Sequence, residues 1–370
     1  MIASRWLHSG RDSKSKLGLI AAVVGTVLVA GCGGGGATTS TSGSQTGAPQ
    51  TWAQVLAAAK QEKTLLFYSP ASDLTDALTA GFKKAYPWVN VESVNASAGT
   101  ITSRAVTEAR AGSKTADVLI VPRGDQAALE QANAVVKSEV PNDATMTKQF
   151  ADTTYMSHPI YLTPTTFVYN TKKLTPAELP KTAYDLANPK WKGEIAFDEP
   201  GNGATSADFL ATQRALMGNN KWMTWLNALK ANDIFITTDA TTAYSDVVQG
   251  QAEIALDGPN DVLGQAKGTP VAIATYADMA SFVQSIWLTR GGSDPDVGKL
   301  FINWVISTAG QTAIGQTGRT PTLLTVKNTP GSLNRLVPAG TTFAPASALD
   351  GFYADPTYYQ KIYTSLWPNQ

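Results

Sequence analysis

Short strand-like stretches alternate with amphipathic stretches along most of this chain. The segments 64–68, 89–94 and 116–121 have strand patterns, and each is followed by a polar loop and then by apolar residues at helical spacing. A strand that is followed by a helix rejoins its sheet in the parallel direction. Three such units therefore predict a parallel sheet that is covered by helices.

The same alternation returns further along the chain. Strands are predicted within 190–197, at 234–237 and at 252–256, and each leads into a polar loop. Between the two regions, the segment 155–170 contains two prolines, which exclude a helix and predict an extended crossover. A length of 370 residues suits two domains of ordinary size. We therefore predict an α/β protein with two lobes, each a mainly parallel sheet flanked by helices, and a cleft between the lobes.

The polar loops that follow the predicted strands are the candidate binding site. In open α/β sheets, ligands bind beyond the carboxyl ends of the strands, where the free N–H groups of helix starts favour anionic and polar groups. The alternative is that Ser72 and Thr100 only cap their helices, which is the commoner role for each taken alone. The candidate ligand-binding residues are Ser69, Ala71, Ser72, Gly99, Thr100, Arg123, Gly201, Asn202, Thr205, Ser206, Asp239, Thr241, Asp257 and Asn260.

Arg123 is the only basic residue in the three loops of the first region. Its forked guanidinium suits a phosphoryl or carboxyl group, so we predict that it binds an anionic part of a ligand. The alternative is a surface arginine with no ligand.

The N-terminal segment combines basic residues, an apolar run and the single cysteine of the chain. Residues 1–16 carry four basic side chains against one acidic, and an apolar run at 17–30 follows. This run is shorter than the roughly 20 residues of a membrane-spanning helix and is typical of a secretory signal peptide. It ends in the sequence VAGC, which resembles a bacterial lipobox and implies cleavage before Cys32 with lipid on its sulfur. The alternative is a buried structural cysteine.

A stretch rich in Gly, Ser and Thr follows Cys32 and has no apolar face, which predicts a flexible tether. The predicted organisation is a signal peptide at 1–31, a tether at 32–50, a first lobe formed by 51–155 and 280–328, and a second lobe formed by 156–279 and 329–370.

The composition argues against several functions. The chain has 29 basic and 29 acidic residues, whereas a nucleic-acid binder needs a basic face. One cysteine excludes a disulfide framework, and two histidines exclude a multi-histidine metal site, so no metal and no cofactor are predicted. Ser–His–Asp catalysis would need His158, which lies beside Pro159, and no Gly-x-Ser-x-Gly motif is present. We predict a structural or solvent-facing His158 and no enzyme activity.

Longer stretches occur in a characteristic order between residues 64 and about 321. They are TLLFYSPAS, LTAGFKKAYPWVNVE, TSRAVTEARAGSKTADVLIV, FVYNTKK, ANPKWKGEIAFDEPG, VVQGQAEIAL and GKLFINWVISTAGQTAIGQTGRTP. This set resembles the periplasmic solute-binding proteins of ABC importers, in the branch that contains ferric-iron, phosphonate and thiamine binders. The resemblance implies a type II periplasmic-binding-protein fold, a small-molecule solute that closes the cleft, and a permease in the membrane as partner. Together with the lipobox, it implies a protein anchored at the outer face of the cell membrane, and we expect a monomer.

This chain departs from the pattern of the iron-binding members at two places. Those members often carry a histidine shortly after the first strand, where this chain has SPAS at 69–72. They also carry adjacent tyrosines after the strand that matches 252–256, where this chain has DGPN at 257–260. A small polar, anionic solute, such as a phosphonate or a phosphorylated compound, therefore fits better than Fe³⁺. The alternatives are a ferric-iron binder with a non-standard site, a lipoprotein that presents its ligand to a membrane sensor, and a lipid-anchored hydrolase.

Overall fold

The computed structural model describes residues 50–200, 205–258 and 268–368. The first α/β region begins at a helix that Thr51 and Gln54 cap reciprocally. Its elements are α1 (Trp52–Glu62), β1 (Thr64–Ser69), α2 (Ser72–Ala85), β2 (Asn90–Asn95), α3 (Ala98–Arg110), β3 (Val118–Pro122), α4 (Gln126–Gln131) and β4 (Val135–Val136).

Two strands that follow one another in the chain, one in each sheet, lead into the second region. The elements from there are β5 (His158–Pro164), β6 (Thr166–Asn170), β7 (Ile195–Asp198), α5 (Thr205–Met217), α6 (Asn219–Ala231), β8 (Phe235–Thr237), α7 (Ala240–Gln249), β9 (Ile254–Asp257) and β10 (Val271–Ala274). The remaining elements are β11 (Ser281–Thr289), α8 (Pro295–Val305), α9 (Thr308–Gln316), β12 (Thr320–Pro321), α10 (Leu333–Leu336), α11 (Asp350–Ala354) and α12 (Pro356–Leu366). No helix in the described part of the chain is long and apolar enough to cross a membrane.

The larger of two sheets has seven strands. Their order is β12-β5-β11-β3-β1-β2, and β4 pairs with β11. β1 runs parallel to both β2 and β3, and Ser69 pairs with Asn95 where β1 and β2 end. The carboxyl ends of these three strands therefore share one edge of the sheet.

The smaller sheet has five strands in the order β10-β6-β9-β7-β8. β7 runs parallel to β8 and β9, and Asp198 pairs with Thr237 at the strand ends. The register that pairs Ala196 with Ala255 brings Asp257 to the same level as Asp198. The second edge of strand ends is thus built like the first.

The predicted α/β fold with two sheets is confirmed, but the sheets are mixed rather than mainly parallel. β11 pairs antiparallel with β3 and β5, and β6 pairs antiparallel with β9 and β10. The physical reason is that β6 and β11 enter their sheets from the other sheet. No crossover helix connects them to a strand of the sheet they join, so they need not run parallel to its other strands. The chain passes between the sheets at Thr165 and again between β10 and β11. The predicted lobe boundaries stay a prediction.

Alternate residues of the central strands pack on opposite faces of their sheet. In β1, Phe67 contacts Phe301 of α8 with a ring-centroid distance of 5.0 Å, and Phe301 contacts Phe82 of α2 at 4.9 Å. Tyr68, the next residue, packs on the other face in a cluster with Ile101 of α3. Both faces are buried, which explains why the strand stretches of the sequence are almost continuously apolar.

A buried carboxylate joins three parts of the larger sheet. Asp117, directly before β3, is only 2% exposed. Its Oδ2 accepts a hydrogen bond from the Leu66 N–H, and its Oδ1 accepts one from the Asp294 N–H, both at 2.8 Å. A β-carbon at Gly292 would lie 2.7 Å from the Asp117 Cα, so only glycine allows this close approach. Asp117 therefore holds β1, β3 and the loop before α8 together.

We expect Asp117→Ala to destabilise the protein strongly. The change leaves two buried N–H groups without an acceptor, at about 1–3 kcal/mol for each. Urea unfolding measures the loss. The control is Asp233→Asn, which removes an exposed carboxylate and is expected to change the free energy of unfolding by less than about 0.5 kcal/mol. A similarly small effect of Asp117→Ala would contradict the role assigned to this carboxylate.

Candidate functional site

Three strand ends form the first edge of the candidate site. β1, β2 and β3 end side by side, and α2, α3 and a 3-10 turn at Arg123–Asp125 begin shortly after them. Ser69 is fully buried at this edge, and its hydroxyl has no hydrogen-bond partner among the described residues. The first N–H groups of a helix have no partner within the helix. This edge therefore combines N–H groups, a serine hydroxyl and a guanidinium.

The structure corrects two helix caps at this edge. Ala71 is the cap residue of α2 and offers no side-chain hydrogen bond, while Ser72 lies in the first turn. Ser97 caps α3, because its Oγ accepts a hydrogen bond from the Thr100 N–H at 3.3 Å. The alternative in which Ser72 and Thr100 serve only as caps is therefore wrong. Ser72, Gly99 and Thr100 are exposed.

Arg123 is buried and paired within the chain. It is 8% exposed, and its Nε and Nη2 donate to the two carboxylate oxygens of Asp350 at 2.9 and 3.1 Å. Its Nη1 is buried and has no partner among the described residues. Burial opposes the charge, but the hydrogen bonds and charge of Asp350 outweigh it and raise the pKa of the guanidinium. Arg123 is thus not a surface arginine, and a carboxylate of the chain fills the fork that the sequence assigned to a ligand.

The second edge is built from the ends of β7, β8 and β9. Asp198 is buried, and its Oδ1 accepts hydrogen bonds from both the backbone N–H, at 2.8 Å, and the hydroxyl of Ser206. Ser206 is therefore held inward at the start of α5, with Thr205 half-buried before it. Asp257 is also buried, and its Oδ1 accepts a hydrogen bond from the Gly258 N–H at 2.7 Å.

The remaining predicted residues of the second edge have different environments. Asp239 caps α7, as its sequence pattern predicts, since its Oδ1 accepts a hydrogen bond from the Thr242 N–H at 2.8 Å. Asp239 and Thr241 are both exposed. Four predicted residues lie outside the described residues, namely Cys32, Gly201, Asn202 and Asn260.

Asp208 is a second carboxylate beside Asp198, and the sequence analysis did not single it out. It lies in the first turn of α5. Burial, together with the negative charge of Asp198, raises the pKa of Asp208 to about 7. Near neutral pH this carboxyl group is therefore divided between a form that only accepts hydrogen bonds and a form that also donates one.

A C-terminal segment, residues 346–354, joins the two edges, and we call it the strap. It consists of a 3-10 turn and α11. Phe352 belongs to the same hydrophobic cluster as Phe209 of α5. The Tyr353 ring lies against the first edge, where a β-carbon at Gly124 would be 2.6 Å from the ring Cδ1. The helix that carries Tyr353 contacts both the turn at Arg123–Asp125 and α5. Burial raises the pKa of Tyr353, and the charge of Asp208 raises it further.

Arg319 is a further arginine that the sequence analysis missed. It precedes β12, and its Nη1 and Nη2 donate to the two carboxylate oxygens of Asp73 at 2.6 and 3.1 Å. Asp73 lies in the first turn of α2, next to Ser72. No local pattern revealed this arginine, because 246 residues separate the two partners.

His158 has a buried, structural environment. It is 1% exposed, its Nδ1 lies 2.8 Å from Asp143 Oδ1, and its Nε2 lies 3.1 Å from Ser138 Oγ. A cavity of about 800 Å³, lined in part by Ser138 and Asp143, lies beside this group. His158 is the first residue of β5 and pairs with Ile286 of β11, which pairs with Ile120, so it lies level with the middle of β3.

Comparison with known proteins assigns this architecture to a family. The sequence profile of the bacterial extracellular solute-binding proteins matches residues 68–312. The chain therefore belongs to the bacterial extracellular solute-binding protein family. The resemblance to the solute-binding proteins of ABC importers, inferred from the sequence, is thereby confirmed.

Two curated relatives match parts of the chain. An uncharacterised protein of Haemophilus influenzae is 27% identical over 171 residues, which are 45% of this chain and 49% of the relative. The Fe(3+)-binding periplasmic protein of Serratia marcescens is 45% identical over 71 residues, which are 18% of this chain and 20% of the relative. The chain thus spans half or less of the length of these relatives.

Solved structures match over a larger share of the chain. Iron-bound HitA from Pseudomonas aeruginosa has a TM-score of 0.64 and 20% identity, and the match covers 81% of this chain and 99% of HitA. AfuA from Actinobacillus pleuropneumoniae, with fructose-6-phosphate bound, has a TM-score of 0.61 and 20% identity, over 83% of this chain and 100% of AfuA. At this identity the matches establish the fold alone.

We expect Asp208 to make the stability of the protein depend on pH. Between the ordinary aspartate pKa of 3.8 and about 7, the folded protein holds a proton that the unfolded chain has released. The free energy of unfolding therefore falls as the pH rises through this window. Asp208→Asn removes this contribution, so its stability relative to the wild type increases from pH 4 to pH 8. Urea unfolding across this range tests the prediction, with Asp233→Asn as control. A constant difference between Asp208→Asn and the wild type would contradict it.

Proposed function

We propose that this protein is a lipid-anchored substrate-binding protein of an ABC transporter. It captures a small anionic solute, such as a phosphonate or a phosphorylated compound, by closing its cleft and delivers the solute to a permease. The observation that carries the proposal is the environment of Arg123. A guanidinium that is 8% exposed at a strand end requires anionic oxygen atoms beside it. Asp350 supplies them to Nε and Nη2, whereas the buried Nη1 has no partner among the described residues and can donate to a further anionic oxygen.

The first edge supplies the groups that suit a phosphoryl or phosphonyl group. Such a group has three oxygen atoms, so it can accept hydrogen bonds from Arg123 and from helix N–H groups at the same time. The Ser69 hydroxyl lacks a partner among the described residues and can donate one more. These donors come from three adjacent strand ends, which is the arrangement that holds one compact anion.

The second edge suits the uncharged, polar part of the same solute. Asp198 already accepts a hydrogen bond from Ser206, while Asp208 has a pKa of about 7 and can accept or donate a hydrogen bond. Carboxylates at this edge also repel a second anionic group, so the solute would be oriented with its anion toward Arg123. Contacts from both edges would favour the closed arrangement of the lobes.

The similar solved structures contain two different ligands, iron and a sugar phosphate. The chemistry of the candidate site favours a sugar phosphate over iron. HitA is described as iron-bound and AfuA as bound to fructose-6-phosphate. Fe³⁺ prefers hard anionic ligands. Within the described residues, no three His, Cys, Asp or Glu side chains are grouped so that they could hold a metal ion. The positive charge of Arg123 would also repel a cation.

The anchor, the partner and the location belong to the same proposal. Lipid on Cys32 would hold the folded body at the outer face of the cell membrane through the tether, where it meets the permease as a monomer. Presentation of the solute to a membrane sensor would use the same cleft. A hydrolase would instead turn its ligand over, and it would need an accessible nucleophile, whereas Ser138, the serine that contacts His158, is buried.

We expect Arg123→Ala to weaken the binding of fructose 6-phosphate and of inorganic phosphate. Losing a hydrogen bond to a charged group costs about 1.5–3 kcal/mol, which is about a tenfold to hundredfold increase in Kd. Isothermal titration calorimetry measures it. The matched control is Arg290→Ala, which removes the same charge from an exposed side chain directly after β11, at the opposite edge of the sheet. Equal Kd values for Arg123→Ala and the wild type would remove Arg123 from the site.

We expect no phenolate-to-iron colour when iron(III) citrate is added. Tyr276 is buried and its hydroxyl accepts a hydrogen bond from the Ala280 N–H at 3.1 Å, and Tyr244 is buried beside Thr269. Visible absorption spectroscopy tests this expectation. A band that persists in Tyr184→Phe, which changes an exposed tyrosine, but disappears in Tyr244→Phe or Tyr276→Phe would establish a non-standard ferric site instead.

A further inference from the structure

The carboxylate of Asp350 occupies the guanidinium fork of Arg123 in the same way as an anionic ligand would. The two parallel hydrogen bonds, at 2.9 and 3.1 Å, form the bidentate arrangement that arginine makes with carboxylates and phosphates. The pair joins residues 227 positions apart in the sequence, one at the end of β3 and one at the start of α11. The strap therefore reaches into the part of the cleft edge where the proposed function places the solute anion.

The two partners differ in their access to water, and this difference decides which of them can leave. The Arg123 side chain is 9% exposed, whereas the Asp350 side chain is 48% exposed. A half-exposed carboxylate can return to water at little cost, whereas a buried guanidinium without an anion carries a large desolvation penalty. The pair can therefore be exchanged only if another anion takes the place of Asp350.

An external anion can also offer a contact that Asp350 does not make. Nη1 of Arg123 is buried and has no partner among the described residues, since Asp350 bonds to the Nε and Nη2 side of the guanidinium. A phosphate or phosphonate group has a third oxygen atom for such a donor. The unpartnered nitrogen is the second, independent sign that the subsite was built for a larger anion than a carboxylate.

We propose that Asp350 is an internal competitor for the anion subsite of this protein, which an anionic solute displaces when it binds. This inference rests on the proposed function, since it uses the same Arg123. Asp350 is attached to the protein, so its effective concentration is high and it lowers the apparent affinity of every anion that needs Arg123 by the same factor. The ion pair with Asp350 neutralises the buried guanidinium while the cleft is empty. A solute binds to Arg123 only if its affinity for this guanidinium exceeds that of Asp350.

Displacement of Asp350 also has a structural consequence. The strap carries Tyr353, whose ring packs on Gly124, and Phe352, which packs in the hydrophobic cluster of the second region. When the solute takes Arg123, the strap loses its two charge-assisted hydrogen bonds to the first edge. Solute binding and the packing of the strap are therefore coupled, and by reciprocity a change that loosens the strap strengthens solute binding.

The experiment compares four proteins, the wild type, Asp350→Asn, Arg123→Ala and the double variant, by calorimetry with fructose 6-phosphate and with inorganic phosphate. Asp350→Asn is expected to lower both Kd values by the same factor, roughly two- to fivefold. In the Arg123→Ala background the same change is expected to have no effect. Asp350→Glu, which keeps the carboxylate, is expected to bind like the wild type, and Asp233→Asn controls for the change in net charge. Thermal melting of each variant shows that it is folded.

The outcomes separate this inference from the proposed function. If Arg123→Ala weakens binding but Asp350→Asn does not strengthen it, Asp350 is no competitor, although the anion site stands. If Arg123→Ala binds both probes like the wild type, the anion site itself fails and the inference fails with it. Hydrogen exchange gives a second readout: phosphate is expected to speed amide exchange at 346–354 in the wild type and not in Arg123→Ala. Slower or unchanged exchange in the wild type would overturn the displacement.

Discussion

A buried guanidinium must have an anion beside it, and the arrangement of the cleft edge follows from this requirement. Arg123 is held at the end of β3, in the middle of a sheet that is buried on both faces, so it cannot turn to solvent. Without Asp350 the guanidinium would lose both of its charge-assisted hydrogen bonds and keep only the attraction of Asp152, which is a costly state for a buried charge. The strap that carries Asp350 is thus as much a part of the site as the strand ends are.

The two edges have opposite electrostatic character. Helix starts lie at both edges, but the first edge adds the donors Arg123 and Ser69, while the second edge adds the carboxyl groups of Asp198 and Asp208. A solute with an anionic end and a polar, uncharged end complements this asymmetry. The raised pKa of Asp208 shows that the second edge already limits its own negative charge by burial.

The strands and their loops were predictable from the sequence because both depend on local patterns. Runs of apolar residues bounded by turns predicted β1, β3, β7 and β9, and Asp239 was recognised as a cap from its position before α7. The antiparallel strands were misjudged as part of mainly parallel sheets, because strand direction depends on which sheet a strand joins. The capping role was assigned to Thr100 instead of Ser97, although a serine directly before a helical pattern is the usual signal of a helix cap.

The sequence by itself determined the α/β class, the family and the strand ends that carry the candidate binding groups, because strand and helix periodicity and strand-end chemistry depend on neighbouring residues. Only the tertiary structure decided what each binding group faces. The pairs Arg123–Asp350 and Arg319–Asp73 join residues more than two hundred positions apart, and Asp208 acquires its pKa from burial beside Asp198. Burial and long-range charge depend on the folded arrangement of the whole chain, and no local pattern encodes them.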